Sequence, residues 1–249
     1  MEDSYYIGDP EHHIQDWQLQ DRPDDCAVAA QTSIINDFIP DHLSIQDADY
    51  IALSNGWYSP GHGTSPDDVG KMFDAFDIPY HQEDHASIEQ LATELQQGHE
   101  VIVGVNSSEL WDQGPLGEFW NWLIKELGLN TAQFNPADHA VSVTGINVTD
   151  PAHPTVVLND SGDPHGAGIE YPLDRFMDAW GKSDFHYVAT DCPAPHQAAP
   201  DFDIGSYLGV GTTLLSVANG ADLATAAQAG VFVSDIYQNV DWDHILTSA

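Results

Sequence analysis

The chain has 249 residues, of which 40 are Asp or Glu and only 5 are Lys or Arg, so its formal net charge at pH 7 is −35. Nucleic acid and anionic membranes are not expected as partners, because binding either of them requires a basic surface. The composition is 42% hydrophobic and 10% aromatic, which is typical of a globular protein, and the sequence has no apolar run long enough to predict a membrane span.

The excess of negative charge leaves three interpretations open. The protein works at high salt, where repulsion between like charges is screened, or it meets a basic substrate or partner, or its acidity serves only solubility. Lys is scarce along the whole chain. This favours a global adaptation, such as one to a high-salt environment, over a single docking patch.

The first residues contain neither a basic stretch nor the apolar segment of a secretory signal. We therefore expect a cytoplasmic protein, or one that is exported without a recognisable signal peptide. The sequence indicates no oligomeric state.

The first half of the chain is predicted to be mainly helical. A helix is expected from about Asp25 to Phe38, where Asp24 or Asp25 serves as the cap and Pro40 ends it. The elements predicted after it are a helix from near Ser44, a helix that begins at 64–69 and ends near Phe76, a strand at 78–81, a helix at 87–97 and a buried strand at 101–105.

The second half supplies most of a predicted sheet. An insertion-like stretch at 107–136, rich in Trp, precedes strands at 139–146 and 155–158, a helix at 173–180 and a last strand at 185–190. We therefore predict an α+β domain over residues 1–192, with helices and strands segregated. It is followed by a linker at 193–203 and a small-residue-rich helical appendage at 204–249.

Cys26 is the first candidate for chemistry. It lies in the first turn of the helix predicted from Asp25, where unpaired N–H groups and the helix dipole stabilise a thiolate. Gln20, six residues earlier, carries an amide able to donate to an oxyanion. The alternatives are that Cys26 is a small buried residue, or that it forms a disulfide with Cys192, which lies in a Pro-rich loop.

A cysteine nucleophile needs a base, and the base needs a group that orients it. His139 begins the strand 139–146, and Asn159 and Asp160 end the next one. If these two strands pair antiparallel, the start of one lies beside the end of the other, so that a side chain at 159 or 160 meets His139. Either Asp160 or Asn159 then serves as the orienting group.

The 13 histidines do not predict a metal site. Most of them lie in predicted loops, and none has the spacing of two ligands on one helix. His12-His13 and Gly61-His62-Gly63 are only weak signals. We expect neither a metal nor any other cofactor.

Six segments resemble the papain-like cysteine peptidases of the C39-like group, the bacteriocin-processing peptidases and their stand-alone relatives. They occur along the chain in the same order as in that family. The segment from Gln20 to Ala30 resembles their nucleophile helix, and the segment from Asp138 to Gly145 resembles their histidine strand. The other matching segments are 63–69, 95–103, 156–160 and 171–180. The resemblance covers about residues 15–192.

The resemblance implies a papain-like fold, in which N-terminal helices, including the nucleophile helix, pack on an antiparallel sheet. It implies Cys26 as nucleophile, His139 as base, Asp160 as orienting residue and Gln20 as oxyanion donor. The partner would be a peptide or protein substrate. The residues that bind this substrate and the preferred cleavage site are not indicated.

Two other functions stay open. The same triad would serve an amidase, a transglutaminase or a deamidase, since each of these begins with attack of the thiol on a carbonyl. A chain with this fold and an acidic surface could also be a binding or toxin-neutralising module without catalytic activity.

Overall fold

A computed structural model of the chain describes residues 5–111 and 136–195. One antiparallel sheet runs through this part of the chain. Its strands are β1 (Tyr6–Gly8), β2 (Tyr80–Glu83), β3 (Val101–Val105), β4 (His139–Asn147), β5 (Thr155–Asn159), β6 (Ile169–Pro172) and β7 (Tyr187–Thr190).

The helices differ widely in length. The α-helices are α1 (Pro10–His13), α2 (Cys26–Phe38), α3 (Ile45–Asn55), α4 (Lys71–Asp74), α5 (Ile88–Gln96), α6 (Ser107–Leu110) and α7 (Leu173–Trp180), with 3₁₀ turns at Pro66–Asp68 and Gly181–Ser183. None of the helices in the described ranges is both long and apolar enough to cross a membrane.

The long strand β4 is the centre of the sheet. The strand order is β2-β7-β3-β4-β5-β6, and every pairing in it is antiparallel. β3 pairs with the first half of β4, while β1 pairs with its last three residues. β4 therefore joins the N-terminal segment of the chain to the sheet.

Helices cover both faces of the sheet, since alternate residues of each strand point to opposite faces. On β3, Val101, Val103 and Val105 join one core with α5 and α7, whereas Ile102 joins the other core with α2, α3 and α4. The predicted mixture of helices with an antiparallel sheet is confirmed. Along the chain the segregation is incomplete, since α5 lies between β2 and β3 and α7 lies between β6 and β7.

The helix α2 is buried almost all round. Its small residues Ala27, Ala29 and Ala30 allow close packing, and two of its buried hydroxyls bond within the helix. Thr32 Oγ1 donates to the Val28 carbonyl at 2.7 Å and Ser33 Oγ to the Ala29 carbonyl at 3.1 Å. Such bonds satisfy buried polar groups that would otherwise oppose folding.

The start of α2 differs from the prediction in how it is capped. Asp25 occupies the N-cap position, but its side chain makes no capping hydrogen bond. Its carboxylate accepts instead from the backbone N–H groups of Asp21 and Arg22, at 3.1–3.2 Å. Asp24 accepts from the Tyr58 hydroxyl and from the Gly61 N–H. Both carboxylates thus fix neighbouring loops rather than the helix end.

Three other predictions need correction. The helix expected to end near Phe76 is broken at Gly70, whose φ of 95° lies in the left-handed region. β1 and β6 were not predicted, because these short strands lack a clear alternating pattern in the sequence. They are recognisable only by their hydrogen bonds to β4 and β5.

Most of the predicted insertion at 107–136 lies outside the described residues, apart from α6, Trp111 and Pro136. The appendage at 204–249, and the linker from residue 196 on, also lie outside them. The domain boundaries therefore stay predictions.

Gly70 provides a test of the packing between α4 and the sheet. A Cβ atom built on Gly70 would lie 2.6 Å from a ring carbon of Tyr80 and 2.9 Å from Cγ1 of Val188. We expect Gly70→Ala to lower the free energy of unfolding by about 1–2 kcal/mol for the left-handed backbone and by about 1–3 kcal/mol more for overpacking. Urea denaturation measures both contributions.

The matched control is Gly56→Ala. Gly56 is also left-handed, with φ 76°, but its Cβ atom would meet no described atom within 4 Å. The free energy of unfolding of this variant should fall only by the amount due to the left-handed backbone. Equal losses in the two variants would contradict the packing described here.

Candidate active site

Three elements bring Cys26, His139 and Asp160 together. Cys26 is the first residue of α2, His139 is the first residue of β4, and Asp160 follows the last residue of β5. The antiparallel register of β4 with β5 sets Ser142 opposite Asn159, so the start of one strand lies beside the end of the other. α2 packs across the same part of β4. Each side chain is thus carried by a buried element.

The His139 ring connects the other two side chains. Its Nε2 atom lies 2.7 Å from Oδ1 of Asp160, and the ring is close enough to Cys26 for the thiol to help raise the pKa of His139. An imidazole has two ring nitrogens, so with Nε2 bound to Asp160 we infer that Nδ1 faces the thiol. The imidazole is thereby held in one orientation between a thiol and a carboxylate.

Asp160 is fully buried and is held by several donors. Besides His139, the Trp111 indole donates to Oδ2 at 2.8 Å and the Gly162 N–H donates to Oδ1 at 2.9 Å. The Trp17 indole donates to the Asp160 carbonyl at 3.0 Å. A buried carboxylate is tolerated when its lone pairs are satisfied in this way.

Asn159, the other candidate for orienting His139, is used elsewhere. Its amide nitrogen donates to the His13 carbonyl at 2.8 Å, and its amide oxygen accepts from the Gly168 N–H at 3.1 Å. Its side chain therefore ties the N-terminal segment to the end of β5. Asp160 is the residue that contacts the imidazole.

The electrostatics favour a charged imidazole. Burial lowers the pKa of His139, but the hydrogen bonds and negative charges of Asp160 and Cys26 outweigh burial and raise this pKa to about 10. Burial also raises the pKa of Asp160, yet His139 and the Trp111 and Gly162 donors hold it below its ordinary value. At neutral pH the site therefore holds an imidazolium ion beside a carboxylate.

The N-terminus of α2 presents unpaired donors at the thiol. The first backbone bond into this turn runs from the Ala29 N–H to the Asp25 carbonyl, at 2.9 Å. The N–H groups of the residues before Ala29 have no intrahelical acceptor, as in any α-helix, and Asp25 does not cap them. They are therefore available to bind an oxyanion beside Cys26.

Gln20 lies on a loop that is attached to the strand end carrying Asp160. Its backbone N–H donates to the Ser161 carbonyl at 3.0 Å, and its side-chain oxygen accepts from Ser161 Oγ at 3.3 Å. One hydrogen of its amide nitrogen is used, since that nitrogen donates to the Arg22 carbonyl at 2.6 Å. The second amide hydrogen is the one that an oxyanion role would need.

Trp111 and Gly162 complete the surroundings of His139, and sequence reasoning missed both. The rings of Trp111 and His139 have centroids 5.5 Å apart. A Cβ atom on Gly162 would lie 3.0 Å from Cε1 of His139 and 3.1 Å from the Trp111 ring. The Asp-Ser-Gly turn after β5 and the Trp-rich composition of 107–136 were the available signals, but neither of them specifies a contact.

Both cysteines are free, so no disulfide joins Cys26 to Cys192.

Among the described residues, two groups have geometry that could hold a metal ion: one comprises His12, Asp16 and Asp37, and the other His13, Asp37 and Glu100. Neither group includes a residue of the Cys26 site.

No family model matches the chain. Uncharacterised proteins from Mycobacterium tuberculosis and Mycobacterium bovis are 36% identical to it over 141 residues, which are 52% of this chain and 54% of each relative. The chain spans about half the length of the curated relatives it matches. These relatives bring no function to the site.

Among solved structures, the chain is similar to a candidate C39-like peptidase from Bacillus anthracis. The similarity covers 73% of this chain and 96% of the other, with a TM-score of 0.46 and 12% sequence identity.

The charge on His139 can be measured directly. We expect the His139 imidazole to titrate near pH 10, so that its protonated form contributes stability that is lost as the pH rises through this value. Asp160→Asn removes the anion, and the midpoint should then fall by about 1–3 pH units. Histidine-selective NMR follows both titrations.

Asp163→Asn is the matched control, because it removes a negative charge from the same loop without touching the imidazole. It should leave the His139 midpoint unchanged. A midpoint near the ordinary histidine value of about 6.5 in the unmodified chain would overturn the electrostatic description.

Proposed function

We propose that this chain is a cysteine peptidase with a papain-like fold. Cys26 is the nucleophile, His139 is the general acid and base, and Asp160 orients His139. The observation that carries the proposal is the single buried imidazole that contacts both a thiol at a helix N-terminus and a buried carboxylate. A peptide or protein substrate is proposed from the resemblance of the sequence to C39-like peptidases.

The first half of the reaction forms an acyl-enzyme. The Cys26 sulfur attacks the carbonyl carbon of the scissile bond, a C–S bond forms, and the carbonyl electrons move to oxygen. The imidazolium of His139 then gives its Nδ1 proton to the leaving amine as the C–N bond breaks. The products are a free amine and a thioester on Cys26.

The second half returns the enzyme to its starting state. His139, now neutral, takes a proton from water, and the resulting hydroxide attacks the thioester carbonyl. The C–S bond breaks, the carboxylic acid leaves, and the thiolate–imidazolium pair is restored. Asp160 stays ionised throughout and keeps Nε2 engaged, so that Nδ1 faces the reacting atoms.

In this proposal two groups stabilise the oxyanion of each tetrahedral intermediate. One is the Cys26 backbone N–H, which lies at the uncapped start of α2. The other is the free amide hydrogen of Gln20, whose loop is fixed by Ser161. Loss of one such donor typically costs on the order of a hundredfold in rate.

Amidase, transglutaminase and deamidase chemistry would share the first half of this reaction and differ in the leaving group or in the acceptor that resolves the thioester. A binding module without activity fits the geometry less well. A buried ion pair seldom stabilises a fold more than well-packed apolar residues would. The presence of several hydrogen-bond donors around the buried Asp160 carboxylate is better explained by a chemical role for His139.

The proposal is tested with a mixed library of unmodified peptides and mass spectrometry of the products. The full chain should release new termini, and Cys26→Ser should abolish cleavage, because a hydroxyl at this position lacks the acidity and nucleophilicity of the thiol. Circular dichroism checks that the variant keeps its fold.

Cys192→Ser is the matched control, since it removes the other free thiol and should leave cleavage unchanged. Turnover that survives in Cys26→Ser would refute the nucleophile assignment. If the thioester on Cys26 reacts only with added amines and is not hydrolysed, the chain is a transferase that uses the same triad, and not a peptidase.

A further inference from the structure

We propose that His13, Asp37 and Glu100 form a binding site for a divalent transition-metal ion of the Zn²⁺ type, separate from the Cys26 site. The three residues come from three elements: α1, the C-terminal end of α2, and the residue just before β3. All three side chains are at least nine-tenths buried. The site would connect the N-terminal segment to the core of the domain.

The two distances from His13 to the carboxylates are close to those expected for tetrahedral coordination. Nδ1 of His13 lies 3.3 Å from Oε2 of Glu100 and 3.6 Å from Oδ2 of Asp37. Ligand atoms bound to Zn²⁺ at about 2.0–2.1 Å in a tetrahedron are separated by about 3.3–3.4 Å. One imidazole nitrogen and two carboxylate oxygens are ligands that zinc and related ions accept.

Each of the two carboxylates has one oxygen that accepts no hydrogen bond from the described residues. Oδ2 of Asp37 and Oε1 of Glu100 are buried and have no hydrogen-bond partner. Nearby hydroxyls donate elsewhere: Ser33 to the Ala29 carbonyl, Ser142 to the Ala30 carbonyl. Leaving carboxylate oxygens unpaired in the interior is costly, and a cation at this point removes the cost.

A small cavity adjoins these side chains. Its volume is about 10 Å³, and His13, Glu100, Ser33, Ser142 and Asn159 are among the residues that line it. This is room for about one water molecule and not for an organic ligand. The cavity could therefore hold the water that serves as fourth ligand to an ion bound between the three side chains.

A second histidine orients one of the ligands. Nε2 of His12 lies 2.7 Å from Oδ1 of Asp37, so this carboxylate is held through one oxygen while the other faces His13. Such outer contacts to ligating carboxylates are typical of metal sites. The His12-His13 pair, a weak signal in the sequence, therefore supplies one ligand and one orienting group, which departs from the expectation that no metal is bound.

The site would also bear on the neighbouring end of β5. The His13 carbonyl accepts from the Asn159 side chain, next to Asp160. Metal bound at His13 would restrain the segment that carries Trp17, whose indole holds the Asp160 carbonyl.

The competing occupant is a proton, since burial raises the pKa of Glu100 to about 7.

Zn²⁺ titration by calorimetry tests the proposal, with the full chain first treated with a chelator. Cys26→Ser is the background, so that zinc does not bind the thiol, and excess Mg²⁺ occupies the acidic surface. We expect one tight equivalent of Zn²⁺. Glu100→Gln should lose it, and His12→Gln, which only misorients Asp37, should weaken it by about 10–100-fold.

The matched control is His153→Gln. This exposed histidine also contacts a carboxylate, at 2.8 Å from Oδ2 of Asp150, and its loss should not change the tight equivalent. Equal zinc binding in the Glu100→Gln variant and in its background would overturn the site and leave a proton as its occupant.

A second measurement does not depend on folding of the Glu100→Gln variant. In methyl-labelled chain with the Cys26→Ser background, one equivalent of Co²⁺ should shift the NMR signals of Ile34, Val101 and Val143 first, because these side chains line the cavity. If these signals stay in place while surface methyl groups respond, the ion binds only to the acidic surface and the proposal fails.

Discussion

The contact between the His139 imidazole and the buried Asp160 carboxylate is the constraint on which the site depends. It holds the ring by Nε2 at 2.7 Å and so presents the other nitrogen to Cys26. A charge at this depth requires compensation, and the Trp111 and Gly162 donors supply it together with the imidazolium. Replacing any one partner would leave a buried charge incompletely paired.

The surrounding fold serves to keep these partners in register. β4 and β5 pair antiparallel, which sets the start of one strand against the end of the other, and α2 lies across them with its N-terminus at the site. The N-terminal segment adds two ties at the end of β5, from Trp17 to the Asp160 carbonyl and from Asn159 to the His13 carbonyl. The N-terminal segment and the strand end that carries Asp160 are therefore tied to each other.

Local patterns in the sequence were sufficient to predict α2, the central strands and the meeting of His139 with the end of β5. The residues that begin and end a helix, and the alternation of apolar residues in a strand, are local signals. The antiparallel pairing was inferred from them. The same reasoning could not predict that Asp25 would turn away from its helix, or that Trp111 would reach Asp160. Those contacts depend on the relative placement of distant segments, on which local patterns carry no information. The buried group of His13, Asp37 and Glu100 was missed for the same reason.

The central claim is that His139 activates Cys26 as a nucleophile, and the rate at which iodoacetamide alkylates Cys26 tests this most directly. In the Cys192→Ser chain at about pH 7, alkylation of Cys26 should be at least about tenfold faster than that of a model thiol, and His139→Ala should remove this advantage. A rate equal to that of the model thiol, unchanged by His139→Ala, would contradict the account.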